Sequence, residues 1–164
     1  MFEQKGLSLA SWVEIYEKKT GERADFPEGY RLFYLAERGF ALMKPCPEDK
    51  MMIIYEVCGD AKFFRDLAEI YACSMGLEYI STICTRHIKP YIRAFGWKIL
   101  EQQEKDGQYR FICSDSIGRL VIITHMCIND VTQEPQYHVT QYLNVKATTD
   151  IDEFLASENK GGND

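Results

Sequence analysis

The spacing of apolar residues changes period several times along the chain, and each change marks an element. Leu9, Trp12, Val13 and Tyr16 recur at three-and-four intervals behind Ser8, a good N-cap, and Gly21 closes the stretch, which predicts an amphipathic helix. Residues 22–29 are polar and contain Pro27, so they read as a turn. The stretches 30–36 and 40–43 then form a hairpin joined at Glu37, Arg38 and Gly39. Pro45 and Pro47 cannot continue a central strand, so 44–50 turns the chain into the next run. That run, MMIIYEV at 51–57, is too short for a membrane and rich in branched and aromatic side chains, as a buried strand is. Cys58, Gly59 and Asp60 break it. Phe64, Leu67, Ala68, Tyr71 and Met75 then follow a helix stripe, with Asp60 as N-cap and Gly76 as the stop. Residues 79–84 return as a strand, and strand, helix and strand within one crossover predict a parallel pair.

The second half is read in the same way. A short helix is expected over 88–95, stopped by Gly96, with Pro90 acceptable in its first turn. Strands follow at 97–102, 109–113 and 120–124, separated by turns at Lys105, Asp106 and Gly107 and at 114–118. Residues 137–145 alternate loosely like an edge strand, 151–155 make one or two helical turns, and 157–164 read as a flexible tail behind a single domain of 1–156.

Composition narrows the function. A chain of 164 residues that is 46% hydrophobic builds one core, and no stretch of it reads as a membrane span. Charges at 1–7 stand where a signal peptide needs apolar residues, so a cytoplasmic protein is expected. The formal net charge of -6 argues against nucleic acid as a partner and favours a cationic one. Six cysteines without a CxxC pair, joined by only three histidines, give no zinc-ligand spacing and read as small apolar residues.

The element order resembles the GNAT superfamily of N-acetyltransferases over roughly residues 30–113. The closest local likeness is "RHIKPYIRAFGWKIL", which is similar to the family's last helix running into a Gly and an aromatic, here Gly96 and Trp97. The strings "YEVCGDAKFFRDLAEI" and "CTRHIKPYIRAFGW" further resemble short GNAT-like proteins carried by phages and prophages. The resemblance implies an α+β fold of α/β/α layers. Its mixed, mostly antiparallel sheet would have six or seven strands, with a central splayed parallel pair and flanking helices. It also implies an acyl-CoA-dependent N-acyltransferase, with acetyl-CoA as cofactor, no metal, and a small-molecule or protein amine as substrate. Val57, Gly59, Asp60 and Ala61 fall where the family holds its cofactor, and Lys62 and Arg86 are further cofactor-binding candidates, as cations that could hold phosphates in place of the family's loop. The family's loop runs Gln or Arg, two residues, Gly, one residue, then Gly or Ala, and aims backbone N–H groups at the pyrophosphate. Here Gly59 and Ala61 match while Glu56 stands at the Gln or Arg position, which predicts weak cofactor binding. The usual tyrosine four residues before the Gly is replaced by Ile92, and Tyr91 is turned from it by about 100° on a helix. The alternative is a GNAT-fold module that has lost the chemistry and binds a host protein.

Each candidate has a bland reading beside the functional one. Glu56 either points outward from the strand end or lies in the cleft with a raised pKa, ready to take an amine proton. Tyr91 serves as the acid only if its helix is rotated. Lys62, Arg65, Arg86, His87 and Lys89 form either a basic rim for phosphates or solvated helix faces, with Arg65 and Glu69 spaced as an ordinary ion pair. Arg86 is expected to matter more than His87, since a guanidinium can pair two phosphate oxygens. Cys58 and Cys84 sit near the ends of the parallel strands and read as core. Thiol titration of the denatured protein without reductant should give six free thiols; four or fewer would reject the free-cysteine reading.

Overall fold

The computed structural model describes residues 6–84, 87–128, 130 and 133–161. The elements in chain order are α1 (Leu9–Thr20), β1 (Arg31–Leu35), β2 (Gly39–Cys46), a 3-10 turn (Pro47–Asp49), β3 (Met51–Gly59), α2 (Ala61–Ser74), β4 (Tyr79–Cys84), α3 (Lys89–Phe95), β5 (Lys98–Lys105), β6 (Gln108–Ser114), β7 (Arg119–Ile128), β8 (Pro135–Lys146) and α4 (Ile151–Gly161). Helix boundaries follow the capping residues. The Ser8 hydroxyl accepts from the Ser11 N–H at 3.1 Å at the start of α1, and the Asp60 carboxylate accepts from the Phe63 N–H at 3.1 Å at the start of α2. The segment from Ser157, read as a tail, continues α4 as far as Gly161.

Among the described residues, eight strands join one sheet in the order β1-β2-β3-β4-β8-β7-β6-β5, and β3 with β4 is its parallel pair. The sheet is therefore larger than the six or seven strands expected. β8 also corrects the edge-strand reading: it lies inside, between β4 and β7, and pairs with both. Its loose alternation has a physical cause. Val139 and Leu143 pack on one face and Tyr142 on the other, while the polar Gln141 and His138 find partners inside the protein, in Arg65 and Ser81. Among the described residues, no helix is long and apolar enough to cross a membrane.

Helices cover both faces. On one, Ala41, Met43, Met52 and Ile80 lie under Phe64, Ala68 and Ala72 of α2, and Val121, Ile123 and Val139 lie under Ile88 and Ile92 at α3. On the other, Phe40 and Cys58 pack against Tyr16 of α1, and Ile112, Ile122 and Tyr142 against Ile151 and Phe154 of α4. Full burial of Phe40 and Phe64 contributes about 2 to 3 kcal/mol each. All six cysteines are thiols outside any disulfide; Cys58 and Cys113 are buried, and burial pushes the Cys113 thiol up to about 12.

Two irregularities of β3 shape its C-terminal half. Met43 pairs with Ile54 but Leu42 pairs with Glu56, so Tyr55 is a bulge residue with no counterpart on β2. Past the bulge the alternation inverts: Ile54 faces α2, whereas Glu56 and Cys58 face α1. The parallel pairing with β4 also ends at Ile54 and Thr82, although the strands run on to Gly59 and Cys84. The two strands are splayed at their C-terminal ends.

Gly39 and Gly59 meet across β2 and β3 with φ of +115° and +105°, and a Cβ on either would collide with backbone of the opposite strand, the Cys58 or the Arg38 carbonyl oxygen. Gly59→Ala or Gly39→Ala should cost at least about 2 kcal/mol, lowering the Tm by roughly 4 to 8 °C. Gly107→Ala has φ of +76° and nothing within 4 Å of its Cβ, so it should cost only about 1 kcal/mol. Thermal denaturation of the three variants checks the contrast.

Candidate functional site

Where β3 and β4 part, a cavity of about 180 Å³ opens between them. Thr82 sits at its vertex and donates its hydroxyl to the Ile54 carbonyl at 3.0 Å, using the acceptor at which the parallel ladder stops. The wall toward α3 is apolar and aromatic, with Ile88, Tyr91, Phe95 and Trp97; the wall toward α1 carries Tyr16, Thr20 and Glu56. These walls belong to opposite faces of the sheet, so the cavity passes through it at the splay. Backbone groups of β3 beyond Ile54 that would have paired with β4 face this opening instead.

Glu56 is only 6% exposed. Its Oε1 accepts from the Asp25 N–H at 3.2 Å, in the loop that follows α1. Its Oε2 has no hydrogen-bond partner among the described residues. Burial raises the Glu56 pKa above the ordinary carboxylate range. The Asp25 N–H and the Tyr16 hydroxyl pull it back, and the charges of Asp25 and Glu22 add to the rise. Tyr16 is pushed up in turn, first by its own burial and then by the Glu56 charge. Of the two readings of Glu56, the structure shows the inward one. A buried carboxylate with an unused lone pair and a raised pKa is equipped to hold an ammonium group or take its proton.

Tyr91 lines the cavity, stacked on Phe95 with centroids 6.2 Å apart, while Ile92 at the neighbouring position is buried beneath α3. The orientation of α3 thus turns Tyr91, and not Ile92, toward the cavity. Val57, Gly59 and Ala61 also line the cavity. Asp60 and Lys62 do not join them there. The Asp60 carboxylate caps α2 and pairs with Arg38 at 2.7 Å, and its N–H donates to the Arg38 carbonyl at 2.8 Å. Lys62 is exposed and borders a separate surface recess beside Arg93. Arg86, and with it the comparison of Arg86 with His87, lies outside the described residues; His87 is exposed.

Arg65 is committed to structure. Its Nε donates to Gln141 Oε1 at 2.7 Å and its Nη2 pairs with Glu69 at 2.7 Å, as the ordinary ion-pair reading expects. Cys58 packs with Phe40, and Cys84 is half-buried at the cavity wall. Among the described residues, no group of three or more His, Cys, Asp or Glu is placed to hold a metal ion. The residues that sequence reasoning missed are Tyr16, Asp25 and Thr82. Their only signal was indirect: a carboxylate within an apolar strand requires donors from elsewhere in the chain. The sequence matches no protein-family model and no curated protein.

Because the folded state holds Glu56 with a raised pKa, its ionisation favours the unfolded state, and stability is lost as pH rises through the folded pKa. Glu56→Gln keeps an acceptor for the Asp25 N–H and removes the charge. The variant should melt with the wild type at pH 4 and several degrees above it at pH 8. Equal melting temperatures at both pH values would show that the buried charge carries no cost.

Proposed function

We propose that this chain is an N-acyltransferase of GNAT-like fold, in which an amine held by Glu56 attacks an acyl thioester lying between the splayed strands. The observation that carries the reading is Glu56, a residue lining the cavity through the sheet, whose buried Oε2 has no hydrogen-bond partner among the described residues. Such a passage lets two substrates approach from opposite faces and meet at the splay, where orientation supplies much of the rate. On the α1 side, Glu22 and Asp25 add negative potential around Glu56, and Tyr55, 43% exposed and 5.2 Å from the Tyr30 ring, offers an aromatic face. Lys19 lines the same side, but Glu22, Asp25 and Glu56 outnumber it, and that mouth suits a cationic amine.

An acyl thioester would supply the acyl group, its C–S bond breaking as the amide C–N bond forms. Glu56 takes the proton that frees the amine, and the nitrogen's second proton ends on the departing sulfur, for which Tyr91 is the donor on the facing wall. N–H groups of β3 beyond the end of its ladder with β4 polarise the carbonyl. The fit to acetyl-CoA is divided. The open strand edges suit an extended pantetheine arm, whose amides pair with backbone as an added strand does. The nucleotide diphosphate does not fit the N-terminus of α2, where Asp60 already occupies the helix end.

That capped helix end favours a second reading, a binding module that holds an amine without transferring anything to it. Thiol release from acetyl thioesters in the presence of primary amines separates the two. The acyltransferase reading expects amine-dependent release, lowered at least 10²-fold in Glu56→Gln with no loss of melting temperature, and lowered in Tyr91→Phe as well. Amine binding by calorimetry without thiol release from any thioester would leave the binding module.

A further inference from the structure

We infer that the acyl donor of this site is recognised through a pantetheine-type thioester arm and not through a nucleotide diphosphate; the inference rests on the acyl-transfer reading. A diphosphate at a helix N-terminus needs free N–H groups and an absence of competing anions. At the start of α2, two of the N–H groups are spent within the chain: that of Asp60 on the Arg38 carbonyl at 2.8 Å, and that of Phe63 on the Asp60 carboxylate at 3.1 Å. The same carboxylate places a negative charge where the phosphates would come. Its partner cation is no substitute. Arg38 is held at 2.7 Å by Asp60 and lies over the Phe63 ring at 4.3 Å from the centroid, so it is committed to two neighbours.

Gly59 has its own structural reason. Its φ of +105° and its close approach to the Arg38 carbonyl are demanded by the β2–β3 crossing, so its presence is no sign of a phosphate loop. Arg65, which borders the cavity at the first turns of α2, is spent on Gln141, Asp66 and Glu69. Among the described residues, Lys19 lies on the α1 side of the cleft, and the side toward α3 offers strand backbone and an apolar wall of Ile88, Phe95 and Trp97, which match an uncharged arm of amides and methylenes. Such an arm is found free in small pantetheine thioesters and tethered on acyl carrier proteins.

The test compares acetyl-CoA, S-acetylpantetheine and an acetylated phosphopantetheinyl carrier protein in amine-dependent transfer, with calorimetric binding of coenzyme A and pantetheine beside it. The inference expects kcat/KM for S-acetylpantetheine within about threefold of acetyl-CoA, and equal affinities for the two thiols. A further tenfold advantage of the carrier protein would identify the tethered source, and parity the free one; either supports the shared arm. Asp60→Asn keeps a good cap and removes the charge, and should raise affinity for coenzyme A at least fivefold while leaving pantetheine unchanged. A wild-type preference of more than tenfold for acetyl-CoA would overturn the inference while leaving acyl transfer intact. Equal binding without transfer would sink acyl transfer and keep the recognition; binding of neither thiol would sink both.

Discussion

The parallel ladder between β3 and β4 ends at Ile54 and Thr82, and the site depends on that early end. Two local features stop it. The bulge at Tyr55 bends β3 and increases its twist away from β4. The Thr82 hydroxyl then takes the Ile54 carbonyl, removing the acceptor that a continuing ladder would use. The same bulge inverts the alternation of β3. Without it Glu56 would face the apolar layer beneath α2; with it, Glu56 accepts from the Asp25 N–H and lies near Tyr16 on the α1 side.

A buried carboxylate opposes folding, and its surroundings only partly offset the cost. Oε1 accepts from the Asp25 N–H, Oε2 has no hydrogen-bond partner among the described residues, and burial raises the pKa. Strain of this sort is tolerated where the scaffold over-determines the position. Here β3 is paired to β2 on one side, and the β2–β3 crossing is locked by facing glycines that accept no side chain. A destabilising group held this firmly is the pattern expected of a functional residue.

Arg65 and Arg119 hold the layers together. Glu69 of α2 receives both Arg65 and Arg119, and Arg119 also pairs with Asp115, so the helix is tied to the β6–β7 turn. Burial pushes Glu69 up, but the hydrogen bond from Arg119 and the charges of both guanidiniums hold it below its usual range. Arg38 is likewise bound to Asp60. Of the residues that could have formed a basic rim for phosphates, Arg65 is drawn into ion pairs with Asp66 and Glu69, while Lys62, His87 and Lys89 are exposed and Arg86 lies outside the described residues.

Local signals were legible in the chain by itself. Ser8, Asp60, Gly76 and Gly96 mark helix ends because caps act over a few residues, and the runs at 51–57 and 79–84 mark strands because pleat and burial select branched side chains. The parallel pairing of those runs followed from the single helix between them. Glu56 was visible as an anomaly, a carboxylate in an apolar run. Its direction was not, because a one-residue bulge depends on the register with β2 and flips every side chain after it. The place of β8 was equally hidden: its polar residues look like an edge until Arg65 and Ser81 arrive from remote positions to satisfy them. Tyr91 faces the cavity because α3 is rotated by the burial of Ile88 and Ile92 against β7 and β8. Local sequence determined which elements form. Only the tertiary structure decided which polar groups meet, since that depends on contacts between residues far apart in the chain.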